Sequence, residues 1–224
     1  MANKIIVIEG TDCSGKETQT KLLIDRLLKD NVCIDSFSFP NYNSPTGKIV
    51  GGPYLGKESI CDGWFPEGAS SVDPYVAMSL FGADRRYNLP IIMDKLKKGH
   101  LLLDRYVYSN MAHQACKAKN VSDRNKLIDK IYKYEFDILE LPKPDIAIFL
   151  YMPYEYGLVL KNKRDEKLDQ HEASYENQVN SISVYLYLSK LYNFIKIDCV
   201  SDGKIRSVED INDEIYSKVR KLIK

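Results

Sequence analysis

Gly10-Thr11-Asp12-Cys13-Ser14-Gly15-Lys16 sets two glycines around four residues and ends on a lysine, one residue, Glu9, after the apolar run Ile5–Ile8. A turn of this composition can point successive backbone N–H groups inward, where they hold phosphate oxygens. Lys16 would add a point charge for the β- and γ-phosphates of ATP. The order strand, glycine turn, helical pattern is the context such a phosphate loop requires. A serine or threonine usually follows the lysine and its hydroxyl binds Mg²⁺. Here Glu17 follows, with Thr18 one position later. One residue turns the side chain by about 100° around a helix, so Thr18 is no automatic substitute. Glu17 can approach the metal through water or make a helix-start contact. Cys13 reads as a small loop-filling residue.

Further along, Leu102-Leu103-Asp104-Arg105-Tyr106 ends a short apolar run in an acid and a base. An aspartate at a strand edge above a phosphate loop can organise a metal ion or its water. Arg105 can neutralise phosphate oxygens through several donors. Phe81-Gly82-Ala83-Asp84-Arg85-Arg86 offers an aromatic plane for a nucleobase, with Arg85 four residues on along the same helical face. Arg85 and Arg86 cannot both enter one small pocket. Tyr108, Ser109, His113 and Gln114 follow Asp104 on a helical pattern, with His113 read as a pocket or packing residue. The charged segment from Lys161 to Glu172 can form a cover that excludes water from a phosphoryl transfer. Arg164 is its leading transfer-stabilising residue, with Lys161, Lys163 and Lys167 as competitors.

The elements that must position these residues alternate. Strands are expected at the N-terminus, at Val32–Phe39, His100–Asp104, Asp145–Tyr151 and Phe194–Asp198. Helices are expected at Lys16–Lys29, Val72–Lys98, Tyr106–Lys117, Asp123–Leu139, Glu172–Leu191 and from Ser207 to Ile223. Pro90 would bend or divide the second helix, and Gly99 would end it. Residues 40–72 are too long for an ordinary connector, and such a loop usually serves a site or contains short helices. The economical fold is one three-layer α/β domain over 1–224, a five-stranded parallel sheet flanked by helices. Its ligands collect beyond the carboxyl ends of the strands.

Composition narrows the partners. The chain has 224 residues, 32 basic and 31 acidic side chains and a net charge of +1. That balance gives no support for a polymeric nucleic-acid partner or a polyanionic membrane surface. No apolar stretch approaches a membrane span, and no signal-peptide pattern opens the chain. The five cysteines are scattered singly, as in a reduced cytoplasmic protein.

Taken in order, these segments resemble the thymidylate kinases, a family of nucleoside monophosphate kinases with the phosphate-loop fold. The resemblance rests on Glu9 to Lys16, Phe39-Pro40, Phe81 to Arg85, Asp104-Arg105-Tyr106 with Ser109, Pro144-Asp145, and Glu172 to Asn177. It covers nearly the whole chain, and the FGADR and DRYVYS segments are its most specific parts. It implies transfer from MgATP to dTMP, giving ADP and dTDP, by a homodimer in dTTP synthesis. It places Phe81 against thymine, Arg85 near the base, Gln114 at the base edge and Tyr175 near the deoxyribose. Arg105 would contact the acceptor phosphate and Asp104 would organise the metal and phosphates. Phe39 and Pro40 would border the acceptor, with 41–71 as an extended acceptor-side loop. With Cys13 in the phosphate loop, the chain resembles members that draw a transfer-stabilising cation from a mobile LID, here 161–171 and Arg164.

Three departures accompany the match. Glu17 replaces the hydroxyl residue after Lys16. The text after the second strand, Phe39-Pro40-Asn41-Tyr42-Asn43, lacks the family's phosphate-binding arginine, for which Lys48 is a candidate replacement. The segment 51–71 is long. They keep two alternatives open: a kinase for another deoxynucleotide or a deoxynucleoside, and a nucleotide-binding regulatory protein with little transfer activity.

Overall fold

The structure is a computed structural model and describes residues 2–161 and 175–223. β1 (Ile5–Gly10) is buried along its whole length. Its side chains alternate between two cores: Ile5 and Val7 join one hydrophobic cluster, Ile6 and Ile8 the other. A strand covered on both faces is apolar at every position, which is why the run shows no polar alternation.

α1 (Lys16–Lys29) follows the loop, and Leu23 and Leu27 bury its inner stripe. Leu28, next to Leu27, is exposed. β2 (Ile34–Ser38) leads into 40–72, which is more ordered than an irregular loop. Ser44 caps α2 (Pro45–Ile49) by accepting from Gly47 N, and a π-helical turn, Val50–Tyr54, continues it. Val50, Tyr54, Leu55, Ala69 and Val72 form a third small core, and the Tyr54 hydroxyl donates to Ala69 O at 3.1 Å.

α3 (Pro74–Lys98) begins on Asp73, whose carboxylate accepts from Tyr75 N and Val76 N. Pro90 sits inside α3 without dividing it. Gly99 does end the helix, but in extended backbone at φ −175 rather than in the left-handed conformation of a glycine cap. What Gly99 accommodates is close approach, since a Cβ there would lie 2.4 Å from Cys33 O. β3 (His100–Asp104), α4 (Val107–Ala115) and α5 (Val121–Tyr132) follow, and α5 runs into a π-helical turn, Lys133–Ile138. The chain continues through β4 (Ile146–Tyr151), α6 (Tyr154–Lys161), α7 (Tyr175–Leu191) and β5 (Ile195–Asp198). A hairpin of β6 (Val200–Ser201) and β7 (Lys204–Ile205) turns on Asp202-Gly203, both with positive φ. That Asp-Gly pair is a hairpin signal of its own. Ser207 then caps α8 (Val208–Leu222) through Asp210 N.

The five main strands form one parallel sheet in the order β2-β3-β1-β4-β5. Chain order and strand order part company on either side of β1, where crossovers diverge and leave a crevice at the carboxyl ends. The register brings Ile8 opposite Asp104 and Ser38 opposite Asp104, so the ends of β1, β2 and β3 meet at one edge.

Candidate active site

The phosphate loop leaves β1 at Gly10, where a Cβ would come within 2.5 Å of Ser14 Oγ and 3.0 Å of Leu150 O. The loop therefore turns tightly only because that position carries no side chain. Cys13 and Gly15 both have positive φ, and Gly15 stands as the N-cap of α1. Cys13 is buried, as a loop-filling residue should be. The Thr11 carbonyl accepts from Ser14 N, from Ser14 Oγ at 2.8 Å and from Lys16 Nζ at 2.6 Å, which folds the lysine over its own loop. Burial lowers the Lys16 ammonium to about 8, and Arg105 adds to this, against the pull of Asp12, Asp104 and Glu9.

Arg105 extends the ladder past the end of β3, its N–H donating to Ile8 O at 3.0 Å. Its φ of 65 is left-handed, which swings its side chain across to the loop. The guanidinium donates to Gly10 O at 3.2 Å and Ser109 Oγ at 3.3 Å and pairs with the Asp12 carboxylate. Burial works against its charge, but Asp12 outweighs it with help from Asp104 and Glu9, so its pKa rises.

Glu9, fully buried at the end of β1, organises this corner. Its carboxylate accepts from Tyr106 N at 2.9 Å, Ser109 N at 3.2 Å, Ser109 Oγ at 2.6 Å and the Tyr185 hydroxyl at 3.1 Å. α4 has no side-chain cap from its own N-cap residue, so Glu9 serves its first-turn N–H groups from a neighbouring strand. Burial raises its pKa, while Ser109, Arg105 and Tyr106 hold it down. Sequence reasoning placed Glu9 at the end of a strand and at the head of the resembling segment but gave it no role of its own. The available signal was a lone carboxylate closing an otherwise apolar run.

A cavity of about 1020 Å³ opens over these strand ends. Of the expected phosphate-side residues, Asp12, Cys13, Gly15, Lys16, Glu17, Thr18, Asp104 and Arg105 line it. Gly10, Thr11 and Ser14 form the turn behind them. Glu17 is exposed and pairs with Lys21 at 2.6 Å. Thr18 is exposed too. Asp104 is half-buried, and its carboxylate has no hydrogen bond or ion pair among the described residues. Burial raises its pKa, while Lys16 and Arg105 draw it back. A half-buried carboxylate with free oxygens beside a phosphate loop suits a Mg²⁺ ion or one of its waters. No group of three or more His, Cys, Asp or Glu among the described residues could hold a metal by itself.

Phe39, Pro40, Phe81, Arg85 and Ser109 line the same cavity on the acceptor side, with a cis peptide between Phe39 and Pro40. Phe81 meets Tyr54 edge-on at 5.6 Å. Arg85 is buried and forms a two-pronged ion pair with Glu135, while Arg86 points out to Leu139 O at 2.8 Å. The expectation that only one of the two arginines enters the pocket therefore holds.

Two expected contacts differ. Gln114 does not line the cavity. It is fully buried, its amide atoms have no hydrogen-bond partner, and the lining residues of α4 are Ser109, Asn110 and His113. Four residues on from Asn110, it lies one turn further from the strand ends. Tyr175 is exposed at the start of α7, edge-on to Tyr154 at 4.8 Å, and is not a lining residue either. Arg164, Lys163 and Lys167 lie outside the described residues, and Lys161 is buried at the end of α6.

Asn110 was not singled out by sequence. Its Nδ2 donates to Glu135 Oε1 at 2.7 Å and Met78 O at 3.2 Å, which fixes the orientation of the amide. Its Oδ1 is buried, without a partner, on a residue that lines the cavity. Nothing in the bare string separates this asparagine from a packing residue.

The family description "Thymidylate kinase" matches residues 8–215. The probable thymidylate kinase of Methanocaldococcus jannaschii is 32% identical over 223 residues, 98% of this chain and 97% of that protein. The thymidylate kinase of Plasmodium falciparum is 30% identical over 220 residues, 98% of this chain and 90% of its own. A solved structure of thymidylate kinase from Candida albicans superposes with a TM-score of 0.73, covering 99% of this chain and 92% of that one at 24% identity, a likeness of fold. The phosphate loop, the adjacent Asp104 and Arg105 at the end of β3 and these matches along the chain agree: it belongs to the thymidylate kinase family.

Proposed function

We infer that the protein transfers the γ-phosphoryl group of ATP to dTMP, giving ADP and dTDP. One observation carries this reading beyond family membership. A single cavity is lined both by the phosphate loop and by Asn110, whose amide oxygen Oδ1 is buried without a partner. An acceptor there seeks a donor, and N3–H of thymine or uracil is one, whereas N3 of cytosine is itself an acceptor. Phe81 supplies an aromatic face beside it, and Arg85, held by Glu135, supplies further N–H groups.

The loop amides and Lys16 hold the donor's phosphates. Mg²⁺ would neutralise charge on those phosphates, with Asp104 as the residue that would hold it and Thr18 or Glu17 as candidates to bind its waters. An oxygen of the dTMP phosphate forms the new bond to the γ-phosphorus as the bond to the β–γ bridging oxygen breaks. That oxygen is already anionic, so the transfer needs alignment and charge compensation rather than a base. Arg105, anchored to Asp12 and Gly10, faces both phosphates. Ser109 fixes its side chain. Segment 161–171 would close over the donor, with Arg164 or a neighbouring lysine adding charge at the transfer.

A homodimer belongs to the same reading. Tyr87 and Ile91, four residues apart on α3, leave large apolar side chains exposed. A cytoplasmic setting is supported by five cysteines scattered singly along the sequence, with no C-x-x-C pair. No helix among the described residues is long and apolar enough to cross a membrane.

Transfer from MgATP to dTMP, dUMP, dGMP, dCMP, AMP and thymidine tests the proposal. Mg²⁺-dependent dTDP formation, with dCMP poorest among the pyrimidine monophosphates, is expected. ATP binding without any diphosphate product would favour a regulatory nucleotide-binding role.

A further inference from the structure

We propose that Lys57 binds the phosphate group of the acceptor nucleotide, filling the place left by the arginine absent after β2. The inference rests on the phosphoryl-transfer reading above and names a residue of its acceptor subsite.

Two anionic phosphates must approach each other in this reaction, so cations are needed on the acceptor side as well as the donor side. Four cations line the cavity among the described residues: Lys16, Lys57, Arg85 and Arg105. Arg85 is committed to Glu135 and Arg105 to Asp12. Lys16 lies within the donor loop on Thr11 O. Lys57 alone comes from the acceptor-side segment, and it has no carboxylate partner among the described residues.

Its position is built. The Lys57 N–H donates to Gly51 O at 2.8 Å, and its carbonyl accepts from Ile60 N at 2.8 Å and Cys61 N at 3.2 Å. Gly51 and Gly52 pack so closely that a Cβ on either would strike Ile60, and Cys61 or Tyr42 besides. The ammonium lies 4.5 Å from the centre of the Tyr42 ring, two residues past Pro40 in the segment that follows β2. Contact with a ring face orients a lysine but leaves N–H donors for an anion. Lys48, the sequence candidate for this charge, is exposed and does not line the cavity. The long 41–71 segment thus returns a cation to the strand end that lost one.

The test compares binding of dTMP and of thymidine, which lacks the phosphate, to the wild type, Lys57→Met and Lys57→Arg. The wild type should prefer dTMP. Lys57→Met should weaken dTMP about 10- to 100-fold, the scale of a lost charge-assisted hydrogen bond, and leave thymidine unchanged. Lys57→Arg should recover most of the preference, and the KM for ATP should stay at the wild-type value in all variants. If Lys57→Met keeps the wild-type ratio of dTMP to thymidine affinity, Lys57 only braces Tyr42 and the proposal falls. Lys57→Gln gives the same reading should the methionine variant fold poorly. A wild type that binds ATP but no dTMP would instead overturn the acceptor assignment itself, and this inference with it.

Discussion

Arg105 reaches from a left-handed position beyond β3 to the carboxylate of Asp12, tying the end of one strand to the phosphate loop that follows its neighbour. The pair is partly buried, so its charges are poorly screened, and a phosphate arriving at the cavity meets an arginine already oriented. Arg105→Ala should lower kcat/KM for phosphoryl transfer about 100- to 1000-fold, the range for losing a preorganised group that stabilises transition-state charge. Arg105→Lys should recover little, because one ammonium cannot span Gly10 O, Asp12 and Ser109 Oγ as a planar fork does. Steady-state kinetics with dTMP varied at saturating ATP checks both. A lysine variant with wild-type turnover would show that charge alone suffices.

Base choice should follow Asn110. Replacing it with alanine removes the unpartnered amide oxygen of a cavity-lining residue and deprives Glu135 Oε1 of a donor. We expect dTMP affinity to fall about 10-fold, as for a lost hydrogen bond between neutral groups in a buried site, while dCMP changes little. Discrimination between the two pyrimidines should therefore narrow. Equal losses for both would mean that Asn110 acts only by supporting Arg85 and Glu135.

The donor half of the site was readable from sequence because its chemistry lies in one contiguous string. Gly10 to Lys16 forms a loop whose neighbours in space are its neighbours in the chain. Asp104-Arg105 was readable for a related reason: a buried parallel strand runs in a straight line, and its last polar residues must emerge at the ligand edge. The acceptor half comes from distant segments. Asn110, Glu135 and Met78 meet only after α3, α4 and the turn beyond α5 have packed. Gln114 looked equally suitable, but a single helical turn moved it into the protein interior. Lys57 was hidden in a stretch read as irregular, although Ser44-Pro45 was a sound helix start.

Asp84 anchors that acceptor segment and should be its most sensitive structural point. Its buried carboxylate accepts from Asn41 N, Ser44 Oγ, Thr46 Oγ1 and Asn88 Nδ2, each at 2.9 Å. Asp84→Ala leaves several of these donors without a partner, at a cost of about 3 kcal/mol from unsatisfied buried groups. Thermal denaturation should show the loss as a lower Tm. Because Asn41 and Tyr42 ride on this anchor, the KM for dTMP should rise more than the KM for ATP. A variant with an unchanged Tm would remove the anchor role.

The pH dependence of donor binding should report on Lys16. Burial brings its ammonium from the ordinary 10.5 down to about 8. Triphosphate oxygens favour the charged form, so binding raises that value again. Below about 8 the lysine is already a cation in the free protein, and binding ATP takes up little proton. Above it the neutral amine must gain a proton before it can compensate the phosphates, so apparent ATP affinity should weaken as pH rises through this region. Calorimetry at pH 8.5 in buffers of different ionisation enthalpy should show net proton uptake by the protein on ATP binding, and Lys16→Met should abolish that uptake together with most of the affinity. Affinity that stays flat from pH 7 to 9.5, with no buffer-dependent heat, would mean that Lys16 keeps its proton throughout and that the buried loop is wetter than its packing indicates.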